Sequence, residues 1–120
     1  MNLFTGSQRY YLFAGPTDMR KSFDGLSGLV RDVMKKNLMT GDVFIFINRS
    51  RDSLKLLVWD RSGFVIWYKR LEEGTFEIPA GEENEKGLPL RWEELVMILE
   101  GIRLESVHRR KRYAAGALVV

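Results

Sequence analysis

The sequence predicts an α+β domain: an antiparallel β-meander of three to four strands, one helix packed on a face of it, and a second, C-terminal helix. Three observations carry that expectation. An apolar stripe of helical period follows an early aromatic strand, a long stretch of period two fills the middle of the chain, and a second helical stripe comes late.

Residues 8–14, Gln-Arg-Tyr-Tyr-Leu-Phe-Ala, are aromatic and β-prone, and Gly15-Pro16 ends them in a turn. A helix is expected next. Thr17 or Asp18 can cap it, and Met19, Phe23, Leu26, Val30 and Val33 advance by three or four, so one buried stripe runs to about Lys36 with Arg20, Asp24, Arg31 and Lys35 on the other side. Gly25 and Gly28 inside that helix suggest the close approach of a neighbouring backbone.

From Gly41 to Leu71 the period becomes two, in runs Asp42 to Asn48, Ser53 to Trp59 and Phe64 to Leu71. Asp60 suits the first position of a type I turn and Gly63 the left-handed position of a bulge after it. That three-residue loop would set Trp59 opposite Val65, Leu57 opposite Trp67 and Lys55 opposite Lys69 on one face, with Val58/Ile66 and Leu56/Tyr68 on the other. The helix is expected on the Val58/Ile66 side, leaving the face with both indoles and both lysines partly open. Thr75 to Ile78 reads as a short edge strand closed by Pro79, residues 80–90 as a polar acidic loop, and Arg91 to Glu100 as the second helix, with Gly101 marking its end. Residues 1–107 then form one domain and residues 108–120 a basic tail that frays.

Composition bounds function. At 45% hydrophobic and 29% charged residues the chain can bury a core and is not of the disordered class. Cysteine is absent, which excludes disulfides and thiolate metal sites. The longest apolar runs are five residues, too short to span a membrane, and a cytoplasmic location is expected. Charge is unevenly distributed: residues 1–70 hold twelve Lys and Arg against six Asp and Glu, whereas residues 71–107 hold three against ten. The first half is suited to a polyanion.

No catalytic constellation is evident. His108 is the only histidine and lies in a basic cluster, no nucleophile motif or phosphate-binding glycine loop occurs, and no cofactor or metal is expected. Asp18, Asp24, Asp42, Asp52 and Asp60 are the carboxylates a metal-dependent nuclease would need, and Asp18, Asp42, Asp52 and Asp60 already have structural uses. Binding is better supported. Arg49 and Arg51 occupy one hairpin tip, Lys69-Arg70 end a strand, and Trp59 and Trp67 are expected beside Lys55 and Lys69, so cations for phosphates and indoles for bases would interleave. The same aromatic centre ringed by charge would equally suit a protein interface.

Three blocks resemble a known family. They are Gly15-Pro16-Thr17-Asp18-Met19-Arg20-Lys21-Ser22-Phe23-Asp24-Gly25-Leu26, then the spaced series Phe44, Phe46, Arg49, Lys55, Leu57, Trp59-Asp60, Gly63-Phe64, Tyr68-Lys69-Arg70-Leu71-Glu72, Gly74 and Phe76, and finally Leu99-Glu100-Gly101-Ile102. Together they are similar to the small transposase-accessory proteins, called TnpB, of insertion-sequence-66-type mobile elements. Ser22, the acidic 80–90 loop and the tail depart from that pattern. The resemblance implies a part in transposition beside a separate, larger DDE-type transposase, and it transfers no catalytic residue. The expected partners are transposon-end DNA, the transposase, or a second copy. Arg20, Lys21, Arg49, Lys55, Lys69 and Arg70 are both basic and motif positions; with Arg51, Trp59 and Trp67 they are the candidate nucleic-acid contacts.

Overall fold

The computed structural model describes residues 7–78 and 86–100. Strand β1 (Tyr10–Pro16) leads through helix α1 (Phe23–Gly28) to β2 (Val43–Ile47), and β3 (Ser53–Asp60) and β4 (Gly63–Arg70) follow as hairpins. Strand β5 (Gly87–Leu90) and helix α2 (Trp92–Glu100) complete the described chain. The strands form one sheet in the order β4-β3-β2-β1-β5. The antiparallel meander is the β2-β3-β4 part of it. To that the structure adds a parallel β1/β2 pair, joined through α1, and an antiparallel β5 on the far side of β1, making five strands.

Burial explains the layering. All five residues of β2, Val-Phe-Ile-Phe-Ile, are buried, so both faces of the central strand need cover. Phe44 and Phe46 point toward α1 with Leu57, Leu26 and Val30; Val43, Ile45 and Ile47 point toward α2 with Leu56, Val58, Leu95 and Ile98. Each face is therefore one half of a two-sided core.

The helical stripe starts as the spacing predicts and then changes phase. After Gly28 the chain enters a π-helical segment, Leu29–Val33, in which Met34 N bonds Leu29 O at 2.9 Å. The wider turn inserts one residue per bond. Met34 and Leu38, rather than Val33, consequently reach the core. Asp18 does not cap α1 directly, because the helix begins four residues after Met19, with Ser22 at its N-cap. Nor does a backbone crowd the glycines: a Cβ at Gly25 would meet only the Lys21 stem, 3.0 Å from Cγ, and one at Gly28 only Asp32 Oδ2 at 3.9 Å.

The register of the β3/β4 hairpin differs from the expected one by one residue. Asp60 pairs with Gly63 across a two-residue loop, closed by Ser62 N on Asp60 O, with Arg61 at φ 46°. Gly63 is not left-handed; Arg61 takes that conformation. The pairs become Trp59/Phe64, Leu57/Ile66, Leu56/Trp67, Lys55/Tyr68 and Leu54/Lys69. Because side chains alternate along a strand, this slip sends Trp59 and Lys55 to the α1 face and Trp67 and Lys69 to the α2 face. The α1 face is the Leu57/Ile66 side, not a Val58/Ile66 side.

Residues 75–78 are not a strand: Phe76 is fully buried, and its N–H donates to Arg51 O at 2.6 Å. Gly74 at φ 79° makes the turn that delivers it. Of the expected 80–90 loop, residues 87–90 form β5; residues 79–85, the 107/108 boundary, His108 and the basic tail lie outside the described residues. Among the described residues no helix is long and apolar enough to cross a membrane.

The register is open to a direct test, since the chain lacks cysteine. In an antiparallel ladder, directly opposed residues bring Cβ atoms within disulfide reach. Ser53→Cys with Arg70→Cys should oxidise to an intramolecular disulfide, and Ser53→Cys with Leu71→Cys should not, read by mass under non-reducing conditions; the reverse result would restore the one-residue-shifted hairpin.

Candidate nucleic-acid interface

Strand direction gathers the basic residues. β1, β2 and β4 all finish at the end of the sheet where β3 begins: Pro16 pairs with Ile47, Thr17 N donates to Ile47 O at 2.9 Å, and Arg70 lies opposite Ser53. The β1–α1 turn, the β2–β3 hairpin tip and the end of β4 therefore crowd together. They carry Arg20 and Lys21, Arg49 and Arg51, and Arg70, all five exposed.

Local chemistry shapes each piece. In the β1–α1 turn the Asp18 carboxylate accepts the Arg20 backbone N–H at 2.8 Å and grips the Arg20 guanidinium at 2.7–3.1 Å. Those contacts lower the Asp18 pKa to about 2, the Arg20 side-chain hydrogen bonds being the largest cause. Gly25 leaves room for the Lys21 stem along α1. The hairpin tip is organised by Asn48, whose Oδ1 accepts from the backbone N–H groups of Asp52 and Ser53 at 3.1 Å, while its Nδ2 donates to Asp52 Oδ1 at 2.7 Å. Leu71 N bonds Asp52 O at 2.8 Å, which ties the end of β4 to this tip. Among the described residues no carboxylate pairs with Lys21, Arg49, Arg51 or Arg70. Asp18 offsets Arg20, and Glu72 and Glu73 follow Arg70, so the end is basic without being uniformly so.

Besides Arg20, which Asp18 holds, four of the nine candidates are elsewhere or already engaged. Lys55 Nζ donates to Met19 O and Lys21 O, both at 2.8 Å, and sits 5.4 Å from the Tyr68 ring centroid. It clamps the β1–α1 turn onto β3. Lys69 Nζ donates to Leu99 O at 2.7 Å, placing a cation on the carbonyl end of α2, where the helix dipole favours it. Trp59 packs against Phe64 at 4.9 Å, near the opposite end of the sheet, and Phe64 packs on Phe23 at 4.6 Å. Trp67 is half-buried in the α2-side core. The expected face combining two indoles and two lysines does not exist, because the register places its members on opposite sides.

The spacing alone did not single out Asn48, Asp52 or Phe76 as organisers of this end; an Asn directly ahead of a four-residue hairpin loop was the available signal. Asp42, which also precedes a strand, binds Arg9 Nε at 3.0 Å. No cluster of metal-ligating side chains occurs among the described residues. Thr17 Oγ1 and Ser27 Oγ are buried with no partner among them.

Two measurements separate pairing from clamping. The Asp18 carboxyl should titrate near pH 2 by NMR and return toward 3.8 in Arg20→Ala. The sign follows from the depressed value: any stability from this exposed, salt-screened pair is present above pH 3.8 and is lost as pH falls through about 2. Lys55→Ala should lower unfolding free energy by about 1–3 kcal/mol in denaturant titration, since two backbone carbonyls lose a charged donor, whereas Arg49→Ala should leave it nearly unchanged.

Sequence comparison with known proteins covers nearly all of the described chain. The family described as IS66 Orf2 like protein matches residues 8–109, which takes in every described element. Two similar chains come from Sinorhizobium fredii (strain NBRC 101917 / NGR234). The uncharacterized protein y4hO is 34% identical over 94 residues, 78% of this chain and 80% of the relative. The uncharacterized protein y4jC is 30% identical over 95 residues, 79% of this chain and 80% of the relative. No solved structure matches. With most of its length matched, the chain belongs to the IS66 Orf2-like family, a family of accessory proteins of transposition.

Proposed function

We propose that this protein is a non-enzymatic accessory factor that holds the DNA of its mobile element, with the transposase as a protein partner, and that it acts in the cytoplasm without metal or cofactor. The observation that supports this reading is the convergence of Arg20, Lys21, Arg49, Arg51 and Arg70 on one end of the sheet. Those cations sit on turns whose backbones are held by Asp18, Asn48 and Lys55, so little ordering is required when a phosphate arrives. Phosphate contacts fix position and carry no base sequence. With Trp59 and Trp67 packed into the protein, base stacking is not part of the proposal; the grip is on the sugar-phosphate backbone of duplex DNA.

The test is binding of labelled duplex by anisotropy across a salt series. Five neutralised phosphates would give a slope of about −4.5 in log K against log salt, and each of Arg49→Ala, Arg51→Ala and Arg70→Ala should make it shallower by about one unit. Lys69→Ala and Trp67→Phe should leave the slope unaltered. Absent or salt-insensitive binding would overturn the DNA reading, and co-purification with the transposase after nuclease treatment would then favour protein contact. Cleavage of the same labelled DNA with magnesium or manganese would overturn the non-enzymatic part.

A further inference from the structure

The two edges of the sheet are built differently. β5 is a four-residue edge carrying Pro89, a short strand with a missing donor, which discourages further pairing. β4, at the other edge, has eight residues, no proline, and an unbroken register to β3. It is an edge strand, and among the described residues no backbone hydrogen bond outside the ladder involves Phe64, Ile66, Tyr68 or Arg70.

The direction of its backbone groups follows from the ladder. Asn48 N bonds Ser53 O, so odd residues of β3 bond β2; Leu71 N bonds Asp52 O, so even residues of β3 bond β4. On β4 it is then the odd residues that bond inward. Phe64, Ile66, Tyr68 and Arg70 direct their N–H and C=O groups outward. Their side chains are half-buried at Phe64 and Ile66, and 47% of Tyr68 is exposed.

We propose that this edge pairs with β4 of a second copy, antiparallel about a two-fold axis through Ile66, to make a continuous ten-stranded sheet. A two-fold normal to the sheet keeps each residue on its own face, so opposed residues must have the same parity. Centring on Ile66 satisfies this and sets Ile66 opposite Ile66, Phe64 opposite Tyr68, and Val65 opposite Trp67. Aromatic and β-branched cross-strand pairs of this kind stabilise a ladder. Lys69 falls opposite Gly63 and Arg70 opposite Ser62, so no like charges are opposed within the strand. The strand is thus complementary to itself in hydrogen bonding, in apolar side chains and in charge, which is why a second copy is the occupant. Antiparallel pairing also sends the two basic ends to opposite poles, roughly one strand length, about 27 Å, apart. If the DNA reading holds, one dimer presents a phosphate-binding end to each of two DNA segments.

The test uses the full-length chain without DNA, so it stands apart from the binding assay. Analytical ultracentrifugation should show a reversible dimer. Ile66→Pro removes an outward N–H while leaving the ladder to β3 intact, and it should give a monomer with an unchanged far-ultraviolet circular dichroism spectrum. Should that variant fold poorly, Tyr68→Lys serves instead, placing a charge opposite Phe64. Ile66→Cys should cross-link between copies under mild oxidation, and Tyr68→Cys should not. A monomer at every concentration up to the solubility limit, a dimer that survives both edge variants, or cross-linking at position 68 in place of 66 would overturn the proposal.

Discussion

The burial of β2 on both sides is the constraint from which the rest of the molecule follows. Its five apolar residues alternate between two faces, and neither face can be left to water. α1 and its π-helical continuation cover one side and α2 the other, so both sheet faces are consumed by the core. What remains for partners is the perimeter: the turn-bearing ends and the two edge strands. This is why a binding surface on the flat of the sheet is excluded by packing, although indoles and lysines alternate along β3 and β4.

Much of the fold was legible from the amino-acid order. The period-two runs located β2, β3 and β4 to within a residue or two, and the first aromatic run and both helical stripes located β1, α1 and α2. What escaped was relational. Strand pairing of β1 with β2 is not encoded in either strand's own pattern, although a strand, a helix and a buried apolar strand in succession are compatible with a parallel unit. β5 was hidden because Gly-Leu-Pro-Leu has the composition of a loop and depends on β1 for its ladder. The hairpin register turned on whether Asp60-Arg61-Ser62-Gly63 held two or three loop residues. A left-handed Arg61 resolves that, and turn composition favours no arginine there.

That single residue of register had more effect on the candidate site than any error in element type. Side chains on a strand reverse faces with each step, so the assumed Lys55/Lys69 pair became Lys55 against Tyr68 on one side and Lys69 against the end of α2 on the other. The expected opposition of two like-charged lysines disappears. Each ammonium instead meets backbone carbonyls, which are acceptors the sequence pattern cannot display. Basic motif positions thus divide by physics into two kinds: Lys55 and Lys69 hold the architecture, whereas Arg20, Lys21, Arg49 and Arg70 reach solvent.

The clamps and the exposed cations are nonetheless one system. Lys55 fastens the turn that presents Arg20 and Lys21, Asn48 shapes the tip that presents Arg49 and Arg51, and the Leu71 bond to Asp52 fastens Arg70 beside that tip. Phe76, buried in the α2-side core with its N–H bonded to Arg51 O, holds the same tip from the chain that follows β4. Long cationic side chains remain free to adjust while their Cα positions are set, the combination that a phosphate backbone of variable sequence demands: fixed spacing, adaptable reach. Arg20 and Lys21 of the first motif block meet Arg49 and Arg70 of the second at this end because the parallel β1/β2 pair and the antiparallel meander finish there together. Their spacing in sequence therefore records a topological requirement as much as a chemical one.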